Sequence, residues 1–403
     1  MTAPRFATLD DLDVDNRRVL VRVDFNVPLT EDRTVRDDTR IRKALPTLRT
    51  LKERGAKLVV CSHLGRPKGK VDPALSILPV GTRLAELLEV EVKLADEVVG
   101  DGVTKLVTDT RAGEVVLLEN LRFEPGETKN DAKLSAALAA LGDAYVNDAF
   151  GACHRAHASV VGVPQLLGDK AAGHLLRTEL TALSRLVTDP VPPFVAIVGG
   201  AKVSDKLGVL LALVERMRAG DSLVIGGAMA NTFLAAQGRT LGASLMEPDR
   251  FSDARTVLTK AAARDVNVVL PTDLRVADSL DATEAQVVDV ARSLGDAQRA
   301  LDIGPATSAR CAEAIASAGM VLWNGPMGLF ENPTFAAGTL AVAHAVADCP
   351  GFCVVGGGDS VAAVQQSGVA ARIDHVSTGG GASLEFIEGK TLPGVAALSL
   401  EQG

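Results

Sequence analysis

One local pattern recurs along the 403-residue chain and limits the folds open to it. A short apolar run is followed by a polar or glycine-rich loop and then by a helical stretch. The runs are continuous rather than alternating, which is typical of strands buried on both faces. Strand–helix alternation of this kind predicts an α/β fold with parallel, doubly wound sheets. The runs occupy residues 19–23, 58–61, 115–118, 144–146, 194–198, 222–225, 266–270, 321–323 and 352–355.

A proline-rich segment near the middle of the chain predicts a domain boundary. Residues 175–187 carry leucines at helical spacing, and the prolines within 188–193 cannot continue that helix. The chain is also too long for one ordinary core, and two domains of roughly 150–200 residues are expected. We therefore predict one domain over 1–185 and a second over 190–385.

Charge and cysteine content narrow the classes of function. The net charge is -8 and the pI about 5.4, which disfavours general nucleic-acid binding because phosphate backbones require excess Lys and Arg. The five cysteines include no CxxC pair, so idle thiols in a reducing compartment are expected rather than disulfides or a metal site. The N-terminus lacks a hydrophobic signal core, and no window reaches the roughly 18–20 apolar residues that span a bilayer. These features favour a cytoplasmic protein with no membrane or nucleic-acid partner.

Cationic side chains follow the predicted strands of the first half. Ligands of open α/β sheets bind at the carboxyl ends of strands, and Arg suits bidentate capture of phosphate or carboxylate. Each residue alone is more often a solvated surface charge. Several at one sheet edge repel one another unless an anion lies among them, so we interpret the set as an anion site. The set is Arg40, His63, Arg66, Arg122 and Arg155.

Two other groups near these cations have more than one interpretation. Asp24 and Asn26 either accept hydrogen bonds from a substrate hydroxyl or are ordinary turn residues before Pro28. His154 and His157 would need a third ligand to hold a metal, and none is nearby. Contact with an anion or plain packing is therefore favoured for the two histidines.

In the second half the strands end in glycines, a pattern typical of nucleotide-phosphate sites built from bare backbone. The segment GGAKVSDK (199–206) is neither a P-loop nor a GxGxxG motif. It is expected to open a helix at Ser204, with Lys202 and Lys206 either meeting phosphates or simply solvated. Lysines in a first helical turn oppose the helix dipole, which favours a nearby anion.

Two further glycine-rich loops precede predicted helices. The loop GGGDS (356–360) contains Asp359, which is an N-cap, a ligand of Mg²⁺ that bridges nucleotide phosphates, or both. The loop TGGGAS (378–383) clusters N–H groups that can stabilise a transferring phosphoryl group, or it is a flexible turn.

Together these segments resemble the phosphoglycerate kinase family over nearly the whole chain. The resemblance implies two Rossmann-like domains, each a mainly parallel sheet flanked by helices, with an interdomain cleft. It also implies that a C-terminal tail, 388–403, returns to the N-terminal domain. The motifs are RVDFNVP (22–28), DDTRI (37–41), SHLGRP (62–67), LLENLRF (117–123), NDAFGACHRAH (147–157), GGAKVSDK (199–206), LDIGP (301–305), LWNGPMGLFE (322–331), GGGDS (356–360), TGGGAS (378–383) and LPGVAALS (392–399).

The resemblance implies an activity: reversible transfer of the acyl phosphate of 1,3-bisphosphoglycerate to ADP, giving 3-phosphoglycerate and ATP in glycolysis and gluconeogenesis. Mg²⁺ accompanies the nucleotide, and a monomer is expected. The implied phosphoglycerate site comprises Asp24, Phe25, Asn26, Arg40, His63, Leu64, Gly65, Arg66, Arg122 and Arg155. The implied nucleotide site comprises Lys206, Ala300, Glu331, Gly357, Gly358, Asp359 and Ser360, with Asp359 toward Mg²⁺. The residues implied near the transferring phosphoryl group are Arg40, Lys202, Lys206, Gly379, Gly380 and Gly381.

Two positions depart from the family pattern. Cys153 stands where many members have Ala, and Ala300 stands where many have Gly at a nucleotide-facing position. A methyl group at Ala300 is expected to alter nucleotide affinity modestly, without putting the activity in doubt.

No general base is expected, since the acceptors are a phosphate oxygen or a carboxylate without a proton at neutral pH. Catalysis would be positioning and charge neutralisation, with hinge closure to join the two sites and exclude water. Two rival functions fit less well. A dinucleotide oxidoreductase would need GxGxxG and an acidic residue roughly 20 positions on. A non-catalytic binding module predicts decay of the cations and lysines, yet all are present.

Overall fold

The computed structural model describes residues 6–399 and has the predicted fold class, with two six-stranded parallel sheets flanked by helices. The described chain divides into two compact units, one of residues 6–181 with 391–399 and the other Ala182–Lys390. The division falls inside a helix, a few residues before the proline-rich segment. Of the predicted tail 388–403, residues 391–399 belong to the first unit, 388–390 belong to the second, and 400–403 lie outside the described residues.

The first unit is built on one parallel sheet in the order β3-β4-β2-β1-β5-β6. Its core packs the valines of the central strand against leucines of the first two helices. The strands are β1 (Arg18–Val23), β2 (Lys57–Cys61), β3 (Val92–Leu94), β4 (Val115–Leu117), β5 (Ala144–Asp148) and β6 (Lys170–Ala172). The helices are α1 (Thr39–Glu53), α2 (Leu78–Leu88), α3 (Asp101–Thr108), α4 (Ala132–Ala139), α5 (Val163–Leu166) and α6 (His174–Thr188), which ends in the second unit.

The second unit holds the other parallel sheet, in the order β15-β14-β13-β7-β8-β9. Three more strands form a small antiparallel sheet, β11-β10-β12. The strands are β7 (Phe194–Val198), β8 (Ser222–Ile225), β9 (Asn267–Val269), β10 (Asp273–Ala277), β11 (Gln286–Asp289), β12 (Arg299–Ile303), β13 (Met320–Asn324), β14 (Phe352–Gly356) and β15 (His375–Val376). The helices are α7 (Leu207–Arg216), α8 (Gly227–Ala236), α9 (Phe251–Ala262), α10 (Pro305–Ala316), α11 (Ala337–Asp348), α12 (Gly358–Gln366) and α13 (Gly381–Ile387), and α14 (Pro393–Ala396) follows in the first unit.

All nine predicted apolar runs are strands of the two parallel sheets. The helix predicted to open at Ser204 begins instead at Leu207, because residues 204–206 form a turn and Lys206 takes the N-cap position. Among residues 6–399, no helix is both long and apolar enough to cross a membrane. The five cysteines are free thiols, and all but Cys349 are buried.

Candidate active site

The carboxyl end of β1 carries the first acidic and amide groups of the site. Asp24 follows the strand directly and is 9% exposed. Its Oδ2 accepts a hydrogen bond from Nη1 of Arg40, in the first turn of α1, at 2.7 Å. The backbone N–H of Phe25 donates to the Ser62 hydroxyl at 2.8 Å, which ties this loop to the end of β2. The predicted Asp24 and Arg40 are therefore paired in the free protein.

The next contacts connect three strand ends of the same sheet. Asn26 accepts a hydrogen bond from the N–H of Gly65 at 2.9 Å, and the Gly65 carbonyl accepts one from Nη1 of Arg122 at 2.6 Å. Gly65 has φ +60°, and a Cβ there would come within 2.6 Å of Leu75, so the position suits glycine. The neighbouring Leu64 is held through both backbone groups by the Asn120 amide. Asn26 therefore stabilises the loops around it, and this contact is compatible with a second hydrogen bond to a substrate hydroxyl.

Three of the predicted arginines converge on one cavity of about 410 Å³. Its cationic lining is Arg66, Arg122, Arg155, Lys68 and Lys129. Arg122 is 8% exposed, and its Nε has no hydrogen-bond partner. Burial, with repulsion from Arg155 and Arg22, lowers the pKa of Arg122 to about 10. The arrangement has a surplus of positive charge that an anion would offset.

Arg22, which was not among the predicted site residues, lies fully buried within β1 and contacts side chains from other elements. Its Nη2 lies 3.0 Å from Nδ1 of His63, and its Nε donates to the Ser159 hydroxyl at 2.9 Å. That hydroxyl donates in turn to the buried carboxylate of Glu127 at 2.6 Å. The sequence does contain a signal for this residue, because a single Arg within an apolar run is expected to be buried and a buried charge needs partners.

The contact with Arg22 determines which ring nitrogen of His63 carries the proton. A guanidinium can only donate hydrogen bonds, so Nδ1 of His63 accepts. Burial, with the charges of Arg22 and Arg122, holds the pKa of His63 well below its usual range. His63 is therefore neutral near pH 7 and carries its proton on Nε2, which leaves that nitrogen as a hydrogen-bond donor.

The two histidines beside Arg155 make different contacts. His154 Nε2 accepts from the Arg155 guanidinium at 3.0 Å. His157 is buried, and burial with nearby arginines lowers its pKa to about 4. Among residues 6–399, no group of three or more His, Cys, Asp or Glu side chains is arranged to hold a metal ion.

In the second unit, glycine loops cross at the carboxyl end of β7. The N–H of Gly200 donates to the Pro326 carbonyl at 3.0 Å. Gly227, which begins α8 with φ +66°, packs so closely that a Cβ there would lie 2.5 Å from the backbone of Gly200. Only glycine permits such an approach of two backbones. The loops therefore leave bare backbone at the edge of the sheet.

Lys206 lies beneath these loops rather than in solvent. Its Nζ donates to the Gly199 carbonyl at 2.8 Å and to the side-chain oxygen of Asn324 at 2.6 Å. Burial lowers the pKa of Lys206 to about 8, and the negative charges of Asp359 and Asp205 partly oppose that effect. The amine is thus fully supplied with acceptors before any ligand arrives.

Lys202 stands on an exposed turn held by a carboxylate from another loop. Glu247 accepts hydrogen bonds from the N–H of Ser204 at 3.0 Å and from its hydroxyl at 2.6 Å. The charge of Lys202 contributes to holding the pKa of Glu247 below its usual range, together with the Ser204 bonds and against the effect of burial. The two predicted lysines differ in exposure: Lys206 is half-buried at the helix start, and Lys202 is exposed in the preceding turn.

A second cavity, of about 290 Å³, lies beside the crossed glycines. Three predicted nucleotide residues line it: Ala300 of β12, the exposed Glu331, and Asp359. The remaining predicted residues of the 356–360 loop and the glycines at 379–381 are not among its lining residues. The other lining residues, which were not among the predicted site residues, are Gly200, Ala201, Gly227, Ala228, Leu245, Leu280, Arg299, Leu301, Pro326, Gly328 and Leu329.

Asp359 is not the N-cap of α12, and that alternative was wrong. Gly357, with φ +94°, occupies the cap, and Asp359 follows Gly358 in the first turn as an exposed carboxylate. Ser360 is buried, and its hydroxyl accepts from the N–H of Gly325. A free carboxylate beside a cavity at a helix start is a suitable oxygen ligand for Mg²⁺ that also binds phosphate oxygens.

The last glycine-rich loop, 378–383, is held by a hydrogen bond to Ser377. Gly380 is the N-cap of α13, with φ +52°, and the N–H of Gly379 donates to the Ser377 hydroxyl at 3.1 Å. The helix then begins at Gly381. A glycine cap leaves first-turn amides uncovered by a side chain, which is the arrangement that favours an anion at a helix start.

Comparison with known proteins identifies the family. A family model described as phosphoglycerate kinase matches residues 9–390. A phosphoglycerate kinase from Clostridium novyi is 50% identical over 394 residues, covering 97% of this chain and 98% of the relative. One from Moorella thermoacetica is 53% identical over 392 residues, with coverage of 97% and 98%.

Solved structures agree with the sequence matches. The phosphoglycerate kinase from Coxiella burnetii has a TM-score of 0.89 and 39% identity, and covers 99% of this chain and 100% of that chain. The one from Pyrococcus horikoshii OT3 has a TM-score of 0.85 and 33% identity, with coverage of 97% and 98%. Since the family model, the relatives and the structures all extend over nearly the full length, the chain belongs to the phosphoglycerate kinase family.

Proposed function

We propose that this chain transfers a phosphoryl group reversibly between 1,3-bisphosphoglycerate and ADP by electrostatic stabilisation, without a general base, using the residues predicted above. Family membership makes it a phosphotransferase with a carboxyl acceptor and a nucleotide substrate. The assignment of residues and the mechanism are the proposal. The main support for the proposal is the cavity of about 410 Å³ where Arg66, Arg122 and Arg155 converge.

The phosphoglycerate end is proposed to bind through donors that the free protein leaves unused. The unpartnered Nε of Arg122 faces a cationic neighbourhood, so a phosphate there gains charge-assisted hydrogen bonds and relieves repulsion. The Nε2 proton of His63 supplies a neutral donor. Asp24 and Asn26 offer oxygens to a substrate hydroxyl. Phe25, Leu64 and Gly65 hold the loops that carry these groups.

The transfer itself needs charge neutralisation rather than proton transfer. In one direction the acceptor is a phosphate oxygen of ADP and in the other a carboxylate, and neither carries a proton at neutral pH. Arg40, Lys202 and Lys206 are proposed to stabilise the charge on the transferring group, together with the backbone N–H groups of 379–381. The closure that joins the two half-sites stays a prediction.

The nucleotide is proposed to occupy the cavity of about 290 Å³, with Glu331 on the ribose and Asp359 toward Mg²⁺. When bound, Mg²⁺ neutralises charge on the nucleotide phosphates. Asp359 suits that ion because it is an exposed carboxylate, and Mg²⁺ commonly takes one or two carboxylates plus phosphate oxygens. Gly357 and Gly358 leave the approach to it open, and buried Ser360 holds the loop.

The remaining expectations from the sequence belong to the same proposal. We propose a cytoplasmic monomer that acts on small molecules and does not bind nucleic acid. Light scattering coupled to size exclusion should give a mass near 41.9 kDa. A mass near twice that value would contradict the monomer.

A coupled assay tests the proposed function. Purified protein is mixed with 3-phosphoglycerate, ATP and Mg²⁺, and glyceraldehyde-3-phosphate dehydrogenase converts the product while consuming NADH. NADH oxidation that depends on both substrates and on Mg²⁺ supports the proposal. Folded protein that gives no signal, yet binds nucleotide by calorimetry, would instead indicate a binding module.

A further inference from the structure

We propose that Asp302 is a positioning residue for the nucleotide site, which anchors the loop 327–331 through the start of α11. Asp302 lies on β12 next to Ala300 and Leu301, both of which line the cavity of about 290 Å³. Its own carboxylate does not line that cavity and is 3% exposed. The inference rests on the proposed function only in taking this cavity as the nucleotide site.

The carboxylate contacts the first turn of α11. Its Oδ2 accepts a hydrogen bond from the N–H of Gly338 at 2.7 Å. The N-cap of α11 is Ala336, which has no side chain able to cap the helix. Asp302 therefore supplies from another element an acceptor that this helix start lacks, and burial raises the pKa of its carboxyl group to about 7.

The same helical turn holds the loop. The buried Thr339 hydroxyl, one residue beyond Gly338, accepts from the N–H of Met327 at 3.0 Å. The N–H of Leu329 donates to the Leu301 carbonyl at 2.8 Å. Loss of the anchor should loosen this turn, and with it the loop that leads to Glu331.

The second carboxylate oxygen, Oδ1, packs closely against Gly328. Oδ1 of Asp302 is buried and has no hydrogen-bond partner, and a Cβ on Gly328 would lie 2.3 Å from it. An Asn at this position could keep one oxygen on the Gly338 amide. Its NH₂ group would then bring two hydrogens against Gly328, where Asp302 has an oxygen that also lacks a partner. The loop should shift to accommodate it.

Asp273 is a matched control in the same small sheet. It is 7% exposed, and it accepts from the N–H groups of Ala306 at 3.0 Å and Thr307 at 2.7 Å, at the start of α10. It thus has the same chemistry and similar burial, but neither Asp273 nor α10 lines the cavity. Asp273→Asn should lower stability without altering the nucleotide site.

The experiment compares Asp302→Asn, Asp273→Asn and the wild type in the coupled assay. We expect Asp302→Asn to raise the KM for ATP about ten-fold, the size of effect typical when a residue that orients a binding group is lost, and to leave the KM for 3-phosphoglycerate within about two-fold. Hydrogen exchange of the 327–331 peptide should be faster in Asp302→Asn alone. Asp273→Asn should show wild-type KM values even if its melting temperature falls as far.

The outcomes separate this inference from the proposed function. A wild type without activity refutes the function, whereas an active wild type tests Asp302 by itself. The inference is overturned if both variants raise the KM for ATP equally, if neither does, or if both KM values rise together in Asp302→Asn. If that variant does not fold, Asp302→Ala takes its place, because it removes the acceptor of the Gly338 N–H without placing a new group against Gly328, and the same results are expected.

Discussion

Replacing Arg122 with Met should leave the ligand-free protein at least as stable as the wild type while it removes tight binding of phosphoglycerate. Arg122 is buried among cations, and burial with repulsion from Arg155 and Arg22 lowers its pKa to about 10. A lowered pKa in a cation means that the fold disfavours the charged form. At neutral pH the group is nevertheless charged, so the folded protein carries that cost until an anion binds.

The size of the cost follows from the shift. Lowering the pKa of Arg122 from its usual range to about 10 corresponds to at most about 3 kcal/mol of unfolding free energy. Arg122 lines an open cavity, and water screening there reduces the figure to about 1–2 kcal/mol. The substitution also removes the hydrogen bond to the Gly65 carbonyl, worth about 1 kcal/mol. The net change in unfolding free energy should lie between about 0 and +1 kcal/mol, in the stabilising direction.

Thermal and urea unfolding at low salt, with and without 3-phosphoglycerate, measure both halves of the prediction. Without ligand, Arg122→Met should melt at or above the wild-type temperature. At a ligand concentration 100 times the dissociation constant, the wild type should gain about 2.7 kcal/mol, and the variant should gain almost nothing. The KM for 3-phosphoglycerate should rise at least about 100-fold, since two or more charge-assisted hydrogen bonds are lost.

Arg83→Met serves as the comparison, because Arg83 is an arginine of the same unit with its charge already paired to Asp38 and Glu86. It should lose stability and keep its KM. If Arg122→Met is clearly less stable than the wild type without ligand, or keeps a wild-type KM, the account of Arg122 as a charge awaiting an anion is wrong.

Three further predictions concern transfer, metal and pH. Arg40→Ala should lower kcat by at least about 1000-fold while the affinity for Mg-nucleotide by calorimetry stays within error; a near-normal kcat would exclude Arg40 as a transition-state stabiliser. Asp359→Asn should weaken Mg-ADP binding about ten-fold but not binding of 3-phosphoglycerate; unchanged Mg-ADP affinity would refute the metal role. Burial raises the pKa of Asp148 from 3.8 to about 7, so the folded state is favoured when this carboxyl group is protonated. Its contribution to the free energy of unfolding, up to about 4 kcal/mol, is fully present below about pH 4 and is lost as the pH rises through 7. Asp148→Asn should flatten this part of the urea-unfolding profile, and an identical slope in the variant would contradict it.

The parallel sheets were predictable because their central strands are continuous apolar runs. The strands that were missed lack this signal. Strand β3 is half-buried throughout, and β15 has only two residues. In the small antiparallel sheet, β10 mixes buried with half-buried positions and β11 is mostly exposed. Pairing partners far along the chain, rather than local composition, make these segments strands.

Residues of the candidate site could be predicted where a charged or polar side chain follows an apolar run in the sequence. Asp24, His63, Arg122 and Asp359 follow apolar runs and could be found in this way. The groups that support them could not. Arg22 lies inside a strand and Asp302 inside a short alternating one, so their importance depends on contacts with residues distant in sequence.

The free protein holds the cations proposed for phosphoryl transfer differently from those proposed for binding, and this difference predicts which kinetic constant each one controls. Arg40 is already paired with Asp24 at 2.7 Å, and Lys206 donates to Gly199 and Asn324. Since each gives up an existing partner when it turns to a substrate oxygen, ground-state binding gains little from it. An interaction that strengthens only as charge develops on the transferring group raises kcat rather than lowering KM. Arg122 donates through Nη1 to Gly65, but its Nε has no partner, so we expect it to contribute from the first contact and to control KM.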